Sequence, residues 1–269
     1  MSAASEAAVE PCSKSDMTRE EAKLAFQEAD AVCFDVDSTV VTTEGVDEFA
    51  AFLGVGDKVA ELTASAMNGD MKFHEALDAR LSIMGATAES LDEFVRTHPA
   101  TFTPGVERLI VSLQARGTHV YLVSGGFTQM IFPLADRLSL PRSRVFANTI
   151  LFGDEGEYSG FDQTAPTAWA GGKAKVIAQL RQEHGYPVVA MVGDGATDLE
   201  ARPPADVFVG FGGIAQRPEV MANADLWVTD FADVQAILDE AATATEAATA
   251  TEAAAATEAA EDTSSSARS

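Results

Sequence analysis

Basic residues are scarce in this chain. Among its 269 residues, 18 Lys and Arg stand against 42 Asp and Glu, which gives a formal net charge of -24. Because so acidic a protein repels phosphate backbones and anionic lipid headgroups, we expect no nucleic-acid or membrane partner. No apolar run approaches the roughly 20 residues that cross a bilayer. Hydrophobic residues nevertheless make up 46% of the chain, which is ample for a folded core.

Cysteine is also scarce, and Cys12 and Cys33 cannot build a disulfide framework. Cys33 lies within an apolar run, where we expect it to be buried as a small hydrophobic residue. The N-terminus lacks the apolar segment of a signal peptide, and Glu6, Glu10 and Asp16 make it too acidic for a transit peptide. These features favour a reducing, cytoplasmic compartment.

Short apolar segments rich in β-branched residues alternate with amphipathic helical patterns along the middle of the chain. This alternation is typical of an α/β fold with a doubly wound, Rossmann-like parallel sheet, which binds ligands at the carboxyl ends of its strands. The predicted strands cover 31–35, 119–123, 188–192, 207–210 and 226–229. The predicted helices include one from a Thr18–Glu21 capping box to about residue 29, and others over 106–116 and 173–183.

Residues 45–103 interrupt the alternation, because they show helical periodicity and no convincing strand. We interpret them as a small helical cap domain inserted after the first strand. Three glycines within 149–161 predict a β-hairpin. The predicted organisation is a disordered N-terminus over 1–17, a core over 18–44 and 104–240, the cap, and a low-complexity Ala/Thr/Glu tail over 241–269.

Two pairs of carboxylates follow predicted strands. Asp35 and Asp37 leave the first strand two residues apart, so both can point into one cleft, as a nucleophile and a general acid–base. Asp194 and Asp198 follow the strand over 188–192, and glycines around Asp194 allow a close approach. Carboxylate oxygens are hard ligands that suit Mg²⁺.

Two further motifs suit an anion. Ser124-Gly125-Gly126 ends the second predicted strand, where backbone N–H groups are unobstructed by Cβ atoms. Lys173 opens a helix, a position that the helix dipole disfavours, so contact with a phosphate would explain it. Taken alone, each of the four motifs also fits an ordinary turn or a solvated surface. Together, along one edge of one sheet, they predict phosphoryl transfer.

These four motifs, in this order, resemble those of the haloacid-dehalogenase-type phosphohydrolases. From about residue 29 to residue 239 the chain is similar to the eukaryotic-type phosphoserine phosphatases. The resemblance implies hydrolysis of O-phospho-L-serine to L-serine and phosphate through a Mg²⁺-dependent aspartyl-phosphate, the last step of L-serine biosynthesis. The matching segments are 31–40, 123–127, 145–148, 160–162, 193–198, 203–206 and 210–213.

The resemblance also assigns catalytic and metal-binding roles. It implies that Asp35 is the nucleophile and that Asp37 protonates the leaving oxygen and then activates water. It further implies that Mg²⁺ is held by Asp35, the backbone carbonyl of Asp37 and Asp194, with Asp198 in support.

Substrate contacts are implied in the same way, with Ser124 and Lys173 on the phosphate, Glu44 on the ammonium and Arg80 on the carboxylate. An Arg–carboxylate pair agrees with the forked geometry of the guanidinium. The pocket would be shaped by Met67, Phe73, Gly125, Gly126 and Thr197. The chain departs from the family pattern at Asn68, at Trp169-Ala170, where a more polar pair is usual, and at Ile214.

Other functions remain open from the sequence. A related enzyme could act on another small phosphate or transfer the phosphoryl group to an alcohol. A phospho-accepting receiver module also places acidic residues at strand ends, but Asp37 and the helical insertion argue against it. A phosphatase fold used only for binding is the last alternative. Homodimer formation is left open.

Overall fold

The computed structural model describes residues 16–67, 72–241 and 243 of the chain, without the side chains of 64–67 and 73. The predicted disordered N-terminus and low-complexity tail fall almost wholly outside these residues. No helix among the described residues has the length and apolar character needed to span a membrane.

Within the described part of the chain, eight strands form two sheets. The strands are β1 (Ala31–Phe34), β2 (His119–Phe127), β3 (Val145–Asn148), β4 (Ile150–Phe152), β5 (Tyr158–Phe161), β6 (Val189–Gly193), β7 (Val207–Phe211) and β8 (Leu226–Val228). Six of them pair in parallel in the order β3-β2-β1-β6-β7-β8, and β4 and β5 form a separate antiparallel hairpin. The direction of strand succession reverses between β1 and β6, which is where doubly wound sheets bind ligands.

Helices lie on both faces of the parallel sheet and in the segment between β1 and β2. They are α1 (Arg19–Gln27), α2 (Gly45–Phe52), α3 (Gly56–Met67), α4 (Phe73–Met84), α5 (Ala88–Thr97), α6 (Val106–Ala115), α7 (Thr128–Arg137), α8 (Gly172–His184), α9 (Ala196–Leu199), α10 (Pro218–Asn223) and α11 over 231–241. In β1, Val32 and Phe34 pack with α1, α6, α7 and α11, whereas Ala31 and Cys33 pack with α8 on the other face. This two-sided burial explains the continuous apolar runs of the strands.

The structure confirms the predicted fold class, the five predicted strands, the capping box at Thr18 and the hairpin. It differs in two places. β3 joins the sheet although its first two residues are half-buried, which weakens its apolar pattern. β2 continues to Phe127, and α7 follows it directly. Ser124-Gly125-Gly126 therefore lies within the strand and does not form the predicted strand-to-helix turn.

Residues 45–103, which we call the helical segment, contain α2 to α5 and contribute no strand to the sheet as far as they are described. Its apolar side chains, such as Phe49, Leu81 and Phe94, pack together and reach Phe127 of the core. The two chain crossings that connect it to the core run side by side. Thr42 N donates to Thr101 O at 3.0 Å, and Thr103 N donates to Val40 O at 2.9 Å. Its division from the core as a separate cap domain stays a prediction.

Candidate active site

The acidic motifs meet at the reversal point of the sheet. Asp35 follows β1 and Asp194 follows β6, and these strands pair with Phe34 opposite Val192. Side-chain oxygens of Asp35, Asp194 and Asp198 lie within 4.8 Å of one another, and all three residues are buried. The register of two adjacent strands therefore places Asp35 and Asp194 side by side, and Asp198 completes a group of three carboxylates that could hold a metal ion.

A glycine makes room for the third carboxylate. A Cβ atom at position 193 would lie 2.2 Å from Cγ of Asp198, so only glycine fits there. Gly195 N donates to Asp198 Oδ2 at 2.9 Å as α9 begins, and this bond directs the side chain back toward β1. The glycines of the Gly-Asp-Gly motif thus position Asp198 itself.

Lys173 lies between two of the acids. Its Nζ is 2.8 Å from Asp35 Oδ1 and 2.5 Å from Asp198 Oδ1, and the residue is only 7% exposed. Burial opposes the charge of the ammonium group, but Asp198 and Asp35 outweigh burial and raise the pKa of Lys173 above its ordinary value. The lysine is therefore a fixed cation at the base of the site.

Asp37 is held by a backbone amide group. Its Oδ1 accepts a hydrogen bond from Gly45 N at 2.8 Å, and a Cβ atom on Gly126 would lie 3.1 Å from its Oδ2. Burial, followed by the nearby charge of Asp35, raises the pKa of Asp37 to about 7. A carboxyl group that binds a proton near neutral pH is suited to general acid–base catalysis.

The extended end of β2 forms another wall. Ser124 is fully buried, and its Oγ accepts from Gly126 N at 2.9 Å. Gly125 O accepts from Asn148 Nδ2 at 2.8 Å, and Asn148 is held in turn by the hydroxyl of Thr167 at 2.9 Å. Asn148 and Thr167 are supports for this wall that the sequence reasoning did not identify.

Most of these groups line a cavity of about 490 Å³, a size suited to a small ligand. Ser124 and Asp198 are fully buried and are not among its lining residues. Glu44 and Arg80 line the cavity together with the core residues, with Glu44 immediately before α2 and Arg80 in the middle of α4. Of the other predicted site residues, the backbones of Met67 and Phe73 lie in α3 and α4, and their side chains are outside the described part. The cavity is lined in part by Asp35, Asp37, Glu44, Arg80, Gly125, Gly126, Lys173, Asp194 and Thr197.

Glu44 and Arg80 are only partly enclosed. Glu44 Oε1 accepts from Ser38 Oγ at 2.7 Å, and burial raises the pKa of Glu44. Arg80 Nε donates to Ala76 O on its own helix at 3.4 Å, and burial lowers the pKa of Arg80 while Asp47 and Glu44 oppose that shift. One acid and one base thus lie at the cavity, and the charges of Asp194 and Asp35 act on Glu44.

Arg217 is a charged cavity residue that the sequence reasoning missed. It immediately precedes α10, and its Nε and Nη2 lie 3.0 and 2.9 Å from Asp194 Oδ2. Its Nη2 is also 3.8 Å from Glu44 Oε1. An arginine ahead of a proline-initiated helix forms no recognisable local motif, so no signal in the sequence could have identified it.

Comparison with known proteins agrees with this geometry. Residues 29–206 match the haloacid dehalogenase-like hydrolases. The chain belongs to this hydrolase family. Within it, the chain is 46% identical over 224 residues to phosphoserine phosphatase of Bos taurus, covering 83% of this chain and 100% of the relative. It is 48% identical over 216 residues to the chloroplastic phosphoserine phosphatase of Arabidopsis thaliana, covering 80% of this chain and 73% of the relative.

A solved hydrolase structure gives the same result. It is described as a phospho-aspartyl intermediate analogue of phosphoserine phosphatase and superposes with a TM-score of 0.65 at 27% identity. The match covers 76% of this chain and 96% of that protein. The family and the fold are therefore shown by sequence and by structure.

Proposed function

We propose that this hydrolase converts O-phospho-L-serine and water into L-serine and inorganic phosphate. The observation that carries the proposal is the placement of Asp35 and Asp37 in one cavity with Lys173, Glu44 and Arg80. Phosphoserine has a phosphate, an ammonium and a carboxylate, and each meets a group of suitable charge in this cavity. The similarity to curated phosphoserine phosphatases supports the same substrate.

Asp35 is proposed as the nucleophile. Its carboxylate attacks phosphorus, a P–O bond to Asp35 forms, and the bond to the serine oxygen breaks. Lys173, 2.8 Å from Asp35 Oδ1, offsets negative charge as the phosphoryl group arrives. The similarity to a structure described as a phospho-aspartyl intermediate analogue supports this covalent step.

Asp37 is proposed as the general acid–base. It gives its proton to the departing serine oxygen, and it then takes a proton from the water that attacks the aspartyl-phosphate. The pKa of about 7 allows both protonation states to be populated near neutral pH. Ser124 Oγ and the amide of Gly125 are proposed to bind the phosphate oxygens, with Gly126 N, which donates to Ser124 Oγ at 2.9 Å, orienting that hydroxyl.

The acidic cluster fits Mg²⁺, because three buried carboxylates with oxygens within 4.8 Å provide the hard donors that this ion prefers. We propose that Asp35, Asp194 and the backbone carbonyl of Asp37 hold it, with Asp198 in support. When bound, Mg²⁺ supplies positive charge next to the transferred phosphoryl group.

At the amino-acid end, we propose that Glu44 pairs with the ammonium and Arg80 with the carboxylate. Ser38 orients Glu44 through the 2.7 Å hydrogen bond. The cytoplasmic compartment and the homodimer stay predictions, and the Arabidopsis relative is named chloroplastic.

Phosphate release by the native chain and by Asp35→Asn tests the proposal. We expect Mg²⁺-dependent release from phosphoserine, abolished by EDTA and reduced on the order of 10⁴-fold or more in the near-isosteric variant. Circular dichroism controls for folding. Phosphothreonine, phosphoethanolamine and p-nitrophenyl phosphate form the substrate panel. Full activity of Asp35→Asn would exclude Asp35 as the nucleophile. Equal turnover of all four substrates would exclude the assignment of Glu44 to the ammonium and of Arg80 to the carboxylate.

A further inference from the structure

Trp169 forms part of the cavity wall. It lies on the loop that leads into α8 and therefore to Lys173, and it lines the cavity with the residues that follow it. Its indole Nε1 donates to Gln163 O at 3.0 Å. The half-buried ring packs against the apolar cluster that contains Leu77 of α4 and Phe127 of β2, at a position where the resemblance led us to expect a polar side chain.

The imidazole of His74 packs against this ring in a tilted stack. The ring centroids are 4.5 Å apart, with 34° between the planes. His74 lies in the first turn of α4, whereas Trp169 belongs to the core, so the stack joins the helical segment to the core beside the cavity. A second contact on the same helix, Tyr158 Oη donating to Asp78 Oδ1 at 3.1 Å, is solvent-exposed.

Arg80 is carried by the same helix. Its Nε donates to Ala76 O within α4 at 3.4 Å, and the charges of Asp47 and Glu44 also act on the guanidinium. Arg80 follows His74 by six positions on this helix, a rise of about 9 Å. The distance from Arg80 to the base of the site therefore depends on where α4 is anchored.

We propose that His74 and Trp169 are a positioning pair that sets α4, and hence Arg80, over the cavity. The pair thereby determines the affinity for a phosphorylated substrate that carries a carboxylate. This inference rests on the proposed function, because it assigns Arg80 to the carboxylate of the substrate. The pair acts through Arg80 and does not touch the reacting phosphate.

The variants His74→Ala and His74→Phe test the pair with phosphoserine and p-nitrophenyl phosphate. The loss of an aromatic contact corresponds to about a two- to ten-fold change in a binding equilibrium. We expect the KM for phosphoserine to rise by that factor in His74→Ala, with kcat nearly unchanged. Kinetics with p-nitrophenyl phosphate, which has no carboxylate, should not change. His74→Phe retains a flat ring and should restore the native KM.

Fluorescence gives an independent test of the stack. The chain has two tryptophans, and Trp227 lies on β8 away from the cavity, so Trp227→Phe leaves Trp169 as the reporter. In this background His74→Ala should shift the emission to longer wavelength, because water replaces the imidazole on the indole face. His74→Phe should leave the emission near its native position.

Three results would overturn the inference: an unchanged emission in His74→Ala, an unchanged KM for phosphoserine, or equal KM changes for both substrates. The last result would mean a general structural effect. If the native chain hydrolyses p-nitrophenyl phosphate but not phosphoserine, the proposed function fails, and with it the assignment to a carboxylate substrate. The emission of Trp169 in the His74→Ala variant would then still show whether the two rings are in contact. The two failures are thus distinguishable.

Discussion

The core and the helical segment hold their charged groups in different ways. In the core, Lys173 touches Asp35 and Asp198 at 2.8 and 2.5 Å, and all three side chains are buried. In the helical segment, Arg80 is half-buried and bonds to its own helix. The groups proposed for bond breaking are therefore fixed by the sheet, whereas the proposed recognition group depends on how one helix is seated.

The attachments of the two regions explain the difference. Asp35 follows a strand bonded on both sides, and Asp35 N itself donates to Val192 O at 2.9 Å. The helical segment is joined by its two chain crossings and by contacts such as Ala88 N donating to Gly156 O at 2.8 Å. We therefore expect changes in the core to reduce stability and kcat, and changes in the helical segment to alter KM.

The largest effect is expected from Lys173→Met, because it leaves Asp35 and Asp198 buried without their cation. Removing one partner of a buried ion pair costs about 3–5 kcal/mol of unfolding free energy. The loss of charge stabilisation should lower kcat by about 10²–10³-fold. Chemical denaturation and phosphate release measure the two effects.

Lys175→Met is the matched control, because it removes the same charge from the same helix at an exposed position. We expect this control to retain near-native stability and rate. Similar losses in both variants would mean that Lys173 contributes only to the overall charge, and the proposed role of the core would be wrong.

Arg80→Lys should have a smaller effect that is confined to substrate binding. The change keeps the positive charge but removes the fork that binds a carboxylate with two parallel hydrogen bonds. The KM for phosphoserine should rise about ten-fold, with little change in kinetics on p-nitrophenyl phosphate. Steady-state kinetics on both substrates measure the effect.

Arg96→Lys, at an exposed position on α5, controls for the substitution itself. A fall in kcat on both substrates in Arg80→Lys would instead connect Arg80 to the chemical step. That outcome would remove the distinction between the two regions.

The residues at the base of the cavity were readily located in the sequence, because they follow strands buried on both faces, and their catalytic and metal-binding roles stay predictions. Such strands read as continuous apolar runs, and the polar residues directly after them are easy to locate. Asp35, Asp37 and Asp194 were found in this way. Glu44 and Arg80 lie in helical or irregular chain, where only the resemblance distinguished them from solvated residues. Their roles stay predictions.

What the sequence could not show depends on contacts between distant residues. The pairing of Arg217 with Asp194 and the stack of His74 on Trp169 join segments that share no periodicity. The extent of β2 also escaped prediction, because the glycines after Ser124 read as a turn, whereas pairing with β3 extends the strand to Phe127. Tertiary contacts decided all three features.

Tyr158→Phe should have the smallest effect and would refine the comparison. The hydrogen bond from Tyr158 Oη to Asp78 also joins the helical segment to the core, but it is exposed to solvent and competes with water. Since surface changes of this kind alter stability by about 0.5 kcal/mol or less, the KM for phosphoserine should change by less than about two-fold. Asp78→Asn, which retains an acceptor oxygen, should match the native enzyme. If Tyr158→Phe instead raised KM as much as His74→Ala, the position of α4 would depend on both contacts, and the stack could not be its principal anchor.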